Sequence, residues 1–144
     1  MENLNYKLIS SDDELEKALD VRRQVFIKEQ GIPEEIELDE CDKGALHIVV
    51  KDGDSVIATA RASFPTDGLA KIERMAVLRD FRRRGIGERI VSFLSEEFRK
   101  RKVKQIVLHA QYAVVDFYRS CGFEETGEPF LEAGIKHIKM HKKI

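Results

Sequence analysis

An apolar strand pattern at Leu69–Val77, an amphipathic helix beginning at Gly85 and an apolar run at Gln105–Ala110 follow one another without a break. A helical crossover between two strands returns the chain to the same sheet, so these strands are expected to pair in parallel or nearly so. The helix reading rests on Ile86, Ile90, Phe93, Leu94 and Phe98, which recur at helical spacing, with Arg89, Ser92, Glu96 and Lys100 opposite. Bases at Arg99 to Lys102 suit the negative end of its dipole.

The rest of the chain supplies strands and helices to surround that crossover. A short strand is expected at Tyr6–Ser10. A helix follows, opened by the capping box Ser11-Asp12-Asp13-Glu14, striped with Leu15, Ala18, Leu19, Val25 and Phe26, and stopped before Gly31-Ile32-Pro33. Glu34 to Asp42 reads as loop or short helix. Leu46–Lys51 and Ser55–Phe64 alternate as strands about Asp52-Gly53-Asp54, a tight hairpin signal, and Pro65-Thr66-Asp67-Gly68 turns the chain into Leu69–Val77. A second helix at Ala113–Cys121 closes at Gly122, and Phe123–Thr126 and Lys136–His141 read as final strands.

A chain of 144 residues with 42% hydrophobic and 35% charged residues suits a single domain over 1–144. A net charge of −1 argues against a polyanion binder, and sparse aromatics (Trp 0, Tyr 3) weaken a nucleic-acid reading of Arg82 to Lys104. The charge is nonetheless uneven: residues 10–42 carry twelve acids against four bases, and residues 79–104 ten bases against four acids. No stretch reaches the ~18 apolar residues of a membrane span. Met1-Glu2-Asn3-Leu4-Asn5 lacks a signal-peptide layout, and Cys41 and Cys121 form no CxxC; a cytoplasmic setting is expected. His47, His137 and His141 have no metal-ligand spacing with the cysteines, so no metal is assigned.

The most specific segment is Arg82-Arg83-Arg84-Gly85-Ile86-Gly87, where a strand hands over to the long helix. Glycines let backbone approach a ligand, and the first N–H groups of a helix carry the positive end of its dipole; together they hold phosphate. Position 90 is Ile90, not the third glycine of a dinucleotide fingerprint, and Glu88 stands where a P-loop needs lysine.

Arg-x-x-Gly-x-Gly at 82–87, after Ile72-Glu73-Arg74-Met75-Ala76-Val77, resembles the acyl-CoA signature of the GNAT superfamily of N-acyltransferases. The run from Ala113 to Phe123, with Tyr118 and Gly122-Phe123, is similar to that family's second motif. The resemblance spans essentially the whole chain and is weaker before residue 45. Val21 to Phe26, Glu29-Gln30 and Ala133-Gly134-Ile135-Lys136-His137 resemble the small stand-alone bacterial ElaA-like branch. The fold it implies is α/β (α+β): a mixed, mostly antiparallel sheet of about six to seven strands, helices on both faces, splayed between strands 4 and 5.

The same resemblance implies acetyl-CoA as co-substrate. Met75, Ala76 and Val77 would give main-chain contacts to pantetheine, and the N–H groups from Arg83 through Gly85, Ile86 and Gly87 to Glu88 would hold the pyrophosphate. Arg82, Arg83 and Arg84 would reach toward the adenosine 3′-phosphate. Tyr118 would be the general acid for the leaving thiolate; the base is Glu73, His109 or water. Acyl transfer to a primary amine, on a small molecule or peptide, is the expected reaction, and the alternative is an acyl-CoA-binding sensor without turnover. A homodimer stays open. Cys121 is expected to pack, and Arg22 to pair with an acid or line the acceptor side. The seven acids from Glu29 to Asp42 would give a negative mouth attracting a protonated amine.

Overall fold

Strands β1 (Asn5–Leu8), β2 (Leu46–Asp52), β3 (Ser55–Thr66), β4 (Leu69–Val77), β5 (Gln105–Gln111), β6 (Glu124–Glu132) and β7 (Ile135–Lys143) belong to one sheet, in the order β1-β2-β3-β4-β5-β7-β6. They are described in a computed structural model that covers residues 3–144. Met1 and Glu2, part of the segment read above against a signal peptide, lie outside the described residues. Antiparallel ladders join β1 to β2, β2 to β3, β5 to β7 and β7 to β6. β4 and β5 are parallel, registered from Leu69 opposite Gln105 to Ile72 opposite Leu108, as the crossover pattern requires. The mixed, mostly antiparallel sheet expected from the sequence is therefore present.

The chain divides into two interleaved units. One holds residues up to Ala62 together with Arg74–Ile90; the other holds Ser63–Glu73 and Val91–Ile144. In the first, β3 is buried on both faces: Val56, Ala58, Ala60 and Ala62 on one, Ile57, Thr59 and Arg61 on the other. Burial on both faces explains the small apolar side chains of that strand. Helix α1 (Asp12–Arg22) starts where expected, with Ser11 Oγ accepting from the Glu14 N–H at 3.1 Å. Glu14 reaches back one residue further than a capping box requires, accepting from the Ser10 N–H at 2.8 Å. That early cap also ends β1 at Leu8 rather than Ser10. Past Arg22 the helix widens into π turns over Arg23–Glu29, which carry Val25 and Phe26 into the core before Gly31 reverses the chain at φ +73°. The acidic stretch after Pro33 folds into α2 (Glu34–Glu37) and a 3-10 turn at Glu40–Asp42.

In the second unit, Phe98 of helix α3 (Ile86–Lys100) is fully buried and packs edge-on against Phe64 at 5.8 Å. Helix α4 (Val115–Ser120) follows a 3-10 turn at Tyr112–Val114, so the expected helix over Ala113–Cys121 is shorter and begins with a tighter turn. Its end is a Schellman motif: Phe123 N–H donates to the Tyr118 carbonyl and Gly122 N–H to that of Arg119. Gly122 stands at φ +93°, and an added Cβ would lie 3.1 Å from Lys142 Cε. β6 and β7 run longer than expected, because β6 is an edge strand: Pro129 can sit in an edge, and exposed residues can occupy it without an apolar pattern.

Glu14 is 6% exposed and accepts from Lys7 Nζ at 2.6 Å and Lys51 Nζ at 3.3 Å. The Lys7 bond first, then the Ser10 N–H, lower its carboxyl from the ordinary 4.5 to about 2. A depressed carboxylate stabilises the fold above its unfolded value and loses that contribution as the folded form is protonated. Urea stability is therefore expected to fall as pH drops from 4.5 toward about 2, and Glu14→Gln to flatten that part of the profile.

Candidate active site

Arg74 sits in the middle of β4 with φ +55°, a left-handed conformation that a non-glycine residue adopts at a cost of roughly 1–2 kcal/mol. The kink begins two residues past Ile72, the last β4 residue registered against β5, and it redirects Met75, Ala76 and Val77. Its side chain explains why it holds. Arg74 Nε lies 3.0 Å from Glu37 Oε2 and donates to the Glu37 carbonyl at 3.3 Å, while Nη2 donates to the Ile36 carbonyl at 3.2 Å and to Asp39 Oδ2 at 3.3 Å.

The acids that hold Arg74 are themselves held from beneath. Arg22, 1% exposed, donates through Nε to Glu37 Oε1 at 2.8 Å and through Nη1 to Asp42 Oδ1 at 2.6 Å. Arg61, 2% exposed, donates through Nη1 to Asp39 at 2.6 Å and Asp42 at 3.0 Å. His47 Nε2 donates to the Asp42 carbonyl at 2.9 Å, which fixes its tautomer, and burial lowers its basicity. Burial raises the Glu37 carboxyl against the pull of Arg22 and Arg74. Burial also pushes Asp39 upward, but the Arg61 hydrogen bond and the nearby Arg61 and Arg74 charges outweigh it and hold Asp39 below the ordinary range. Arg22 therefore pairs with acids, one of the two roles open to it in the sequence. Much of the acidic run is matched internally, since Glu29 also meets Arg82 at 2.9 Å.

The glycine-rich segment lies in the same unit. Arg83 and Gly85 both have positive φ (+62° and +78°), and the Arg89 N–H donates to the Gly85 carbonyl at 3.1 Å. Gly85 is thus the N-cap of α3, and the N–H groups of Ile86, Gly87 and Glu88 precede its first internal bond. Arg82 is tied inward: Nε donates to the Val77 carbonyl at 2.8 Å and Nη2 to Glu29. Arg84 lies over the Phe81 ring at 5.3 Å. Met75, Ala76 and Val77 and the segment from Arg82 to Glu88 are therefore brought together, with the Arg82–Val77 bond as a direct link.

The three proton-transfer candidates lie in the other unit. Tyr118 is half-buried between the rings of Phe117 at 5.0 Å and Phe123 at 5.9 Å. Burial, with Cys121 nearby, pushes its phenol far above the ordinary value, so it stays protonated. Glu73 accepts from Ser63 Oγ at 3.0 Å. His109 presents Nδ1 to Glu132 Oε1 at 3.0 Å and packs edge-on against Phe130 at 5.0 Å. Sequence reasoning did not single out Glu132, because its meeting with His109 depends on the long β6–β7 hairpin.

A family model described as "Acetyltransferase (GNAT) domain" matches residues 10–144. The chain belongs to the GNAT acetyltransferase family. It is 36% identical to YjcF of Bacillus subtilis (strain 168), named an uncharacterized N-acetyltransferase, over 94% of this chain and 96% of YjcF. Among solved structures, Escherichia coli ElaA superposes with a TM-score of 0.85 at 27% identity, covering 96% of this chain and 99% of ElaA. An acyl-CoA N-acyltransferase from Pseudomonas aeruginosa gives a TM-score of 0.84 at 26% identity, over 97% and 99% of the two chains. The GNAT assignment accords with both motifs read from the sequence and with the ElaA-like resemblance.

In this GNAT chain the arginine–carboxylate cluster is the support of the kinked strand. Removing one member of a buried ion pair leaves the other charged and unpartnered, at a cost of about 3–5 kcal/mol. Arg61→Ala is expected to lower unfolding free energy by about that amount. Exposed Arg99→Ala, which breaks a surface pair with Glu96, should cost less than about 1 kcal/mol. Urea titrations of both variants check the contrast.

Proposed function

We propose that the chain, acting as one domain over 1–144, transfers an acetyl group from acetyl-CoA to a primary amine by direct attack in a ternary complex. The observation that carries this reading is the amide cradle of Gly85, Ile86, Gly87 and Glu88 joined through Arg82 to the kinked end of β4. Unpartnered N–H groups at a helix start favour a diphosphate, and main-chain groups of Met75–Val77 would receive the pantetheine arm as an added strand. Arg83 and Arg84, both exposed, would reach toward a 3′-phosphate, whereas Arg82 serves mainly to brace the cradle.

The chemistry follows from the groups present. The amine nitrogen bonds to the thioester carbon, a strand N–H near Ala76 would take the oxyanion, and the carbon–sulfur bond breaks. Tyr118, kept protonated by burial, would donate to the leaving thiolate. Glu73 or His109 would accept the amine proton. The acceptor is a primary amine on a small molecule or peptide. Two cysteines without a paired motif suit a reducing, cytoplasmic setting. No helix among the described residues is long and apolar enough to cross a membrane.

Calorimetry with acetyl-CoA and free CoA, paired with thiol release across an amine panel, tests the reading. Binding with turnover is expected, and Tyr118→Phe should retain binding while losing about 10²-fold or more in kcat. Arg74→Ala should weaken acetyl-CoA binding about tenfold, equivalent to ~1.4 kcal/mol. Binding without turnover for any amine would favour the sensor alternative, and absence of binding would overturn both.

A further inference from the structure

Three side chains from three strands meet on one face of the second unit. His109 lies on β5, Glu132 on β6 and His137 on β7, and the ladders place Gln111 opposite His137 and His137 opposite Phe130. Glu132 Oε1 stands 3.0 Å from His109 Nδ1, and Oε2 stands 3.7 Å from His137 Nε2. His137 Nδ1 lies 2.7 Å from the Ile135 carbonyl and so carries its hydrogen there. Phe130 stacks against the His137 ring at 5.9 Å and meets the His109 ring edge-on at 5.0 Å.

The placement is built into the backbone. Glu132 and Ile135 are paired across a two-residue turn, Ala133-Gly134, in which both residues have positive φ (+52° and +74°). That is the two-residue hairpin whose twist matches its strands, and it fixes the register of both Glu132 and the His137 support. Alanine at φ +52° is a conformation that glycine or asparagine would adopt more easily.

The pair is not buried for stability. The Glu132 side chain keeps 44% of its surface exposed and His109 29%, and exposed ion pairs contribute little to folding. What the contact does control is the tautomer. A carboxylate facing Nδ1 keeps the hydrogen on that nitrogen, and the neutral ring then carries its lone pair on Nε2.

We propose that Glu132 is a positioning residue for His109, holding Nδ1–H so that Nε2 is the base that takes the acceptor amine's proton. This rests on the acetyl-transfer reading and selects His109 over Glu73. In the step, the amine nitrogen bonds to the thioester carbon, its proton passes to His109 Nε2 and the carbon–sulfur bond breaks. The thiolate takes the Tyr118 proton, and the proton held on the imidazolium passes through solvent back to the Tyr118 phenolate, so both groups return to their starting forms. The charged and titratable groups facing His109 are Glu132 from β6 and, from β7, Lys139 opposite it in register, with His137 beyond Glu132.

The test compares wild type, His109→Gln, Glu132→Gln and the double variant, using acetyl-CoA with spermidine, an aminoglycoside and a lysine peptide as probe amines. Thiol release is followed from about pH 6 to 9, and nitrogen NMR of the histidine rings reports the tautomer. His109→Gln is expected to lower kcat/KM by about 10²-fold or more. Glu132→Gln should lower it about tenfold, because the ring is no longer held with its hydrogen on Nδ1. The double variant should be no worse than His109→Gln within about twofold, since both changes act through one group. In wild type the NMR should show His109 with hydrogen on Nδ1, a preference lost in Glu132→Gln. A Glu132→Gln protein indistinguishable from wild type, or one whose loss multiplies onto that of His109→Gln, overturns the assignment while leaving acetyl transfer standing. Wild-type protein that binds acetyl-CoA yet releases no thiol with any probe amine overturns the transfer reading, and this assignment with it.

Discussion

The conformation of one residue, Arg74, is the constraint on which the end of β4 depends. A left-handed residue in mid-strand is unstable by itself, and nothing local in Glu73-Arg74-Met75 favours it. Its guanidinium meets two carboxylates and two carbonyls of the segment from Ile36 to Asp39, so the kink persists because the side chain has only one place to bond fully. Those acids in turn need Arg22 and Arg61, which lie almost wholly out of water. Three guanidiniums and three carboxylates balance, each paired with two of the opposite charge, and removing one leaves two neighbours each with one partner fewer.

This balance also accounts for the short, irregular elements around it. A segment with acids at 34, 35, 37, 39, 40 and 42 has no apolar stripe to hold a helix against a core. It folds instead as one α turn and one 3-10 turn, which bring Glu37, Asp39 and Asp42 to the shared arginines Arg22, Arg61 and Arg74. The π turns after Arg22 belong to the same arrangement: they follow directly on the residue whose guanidinium anchors the acidic segment, and they still deliver Val25 and Phe26 to the core.

Much of the fold was legible because its signals are local. Period-two and helical patterns located β4 to the residue, β5 within one residue and α3 within one turn; Ser11 and Gly122 marked helix ends by their own chemistry. The glycine turn into α3 was legible for the same reason. What stayed hidden was long-range. Arg61 alternates with Ile57 and Thr59 as a strand residue would, and no spacing in the chain connects it to Asp39, 22 residues away. β6 was cut short because its sequence, Glu124 to Glu132, is that of an edge with little to bury. With two thirds of that strand unseen, the approach of Glu132 to His109 was unseen too.

The charge of the acidic run requires a different weighing once its partners are known. Steering of a cation from a distance needs unneutralised charge, because a balanced cluster presents only short-range multipoles and salt screens what is left within about 10 Å. Glu29 lies against Arg82, Glu37 against Arg22 and Arg74, Asp39 against Arg61 and Arg74, and Asp42 against Arg22 and Arg61. Within that run, Glu35 and Glu40 are the acids outside these ion pairs and the longer Arg23–Glu34 contact. The run therefore acts chiefly as an internal ligand for arginines. If the proposed amine transfer holds, selection among acceptors falls to contacts made after encounter, where hydrogen-bond geometry counts for more than the sign of the approaching charge.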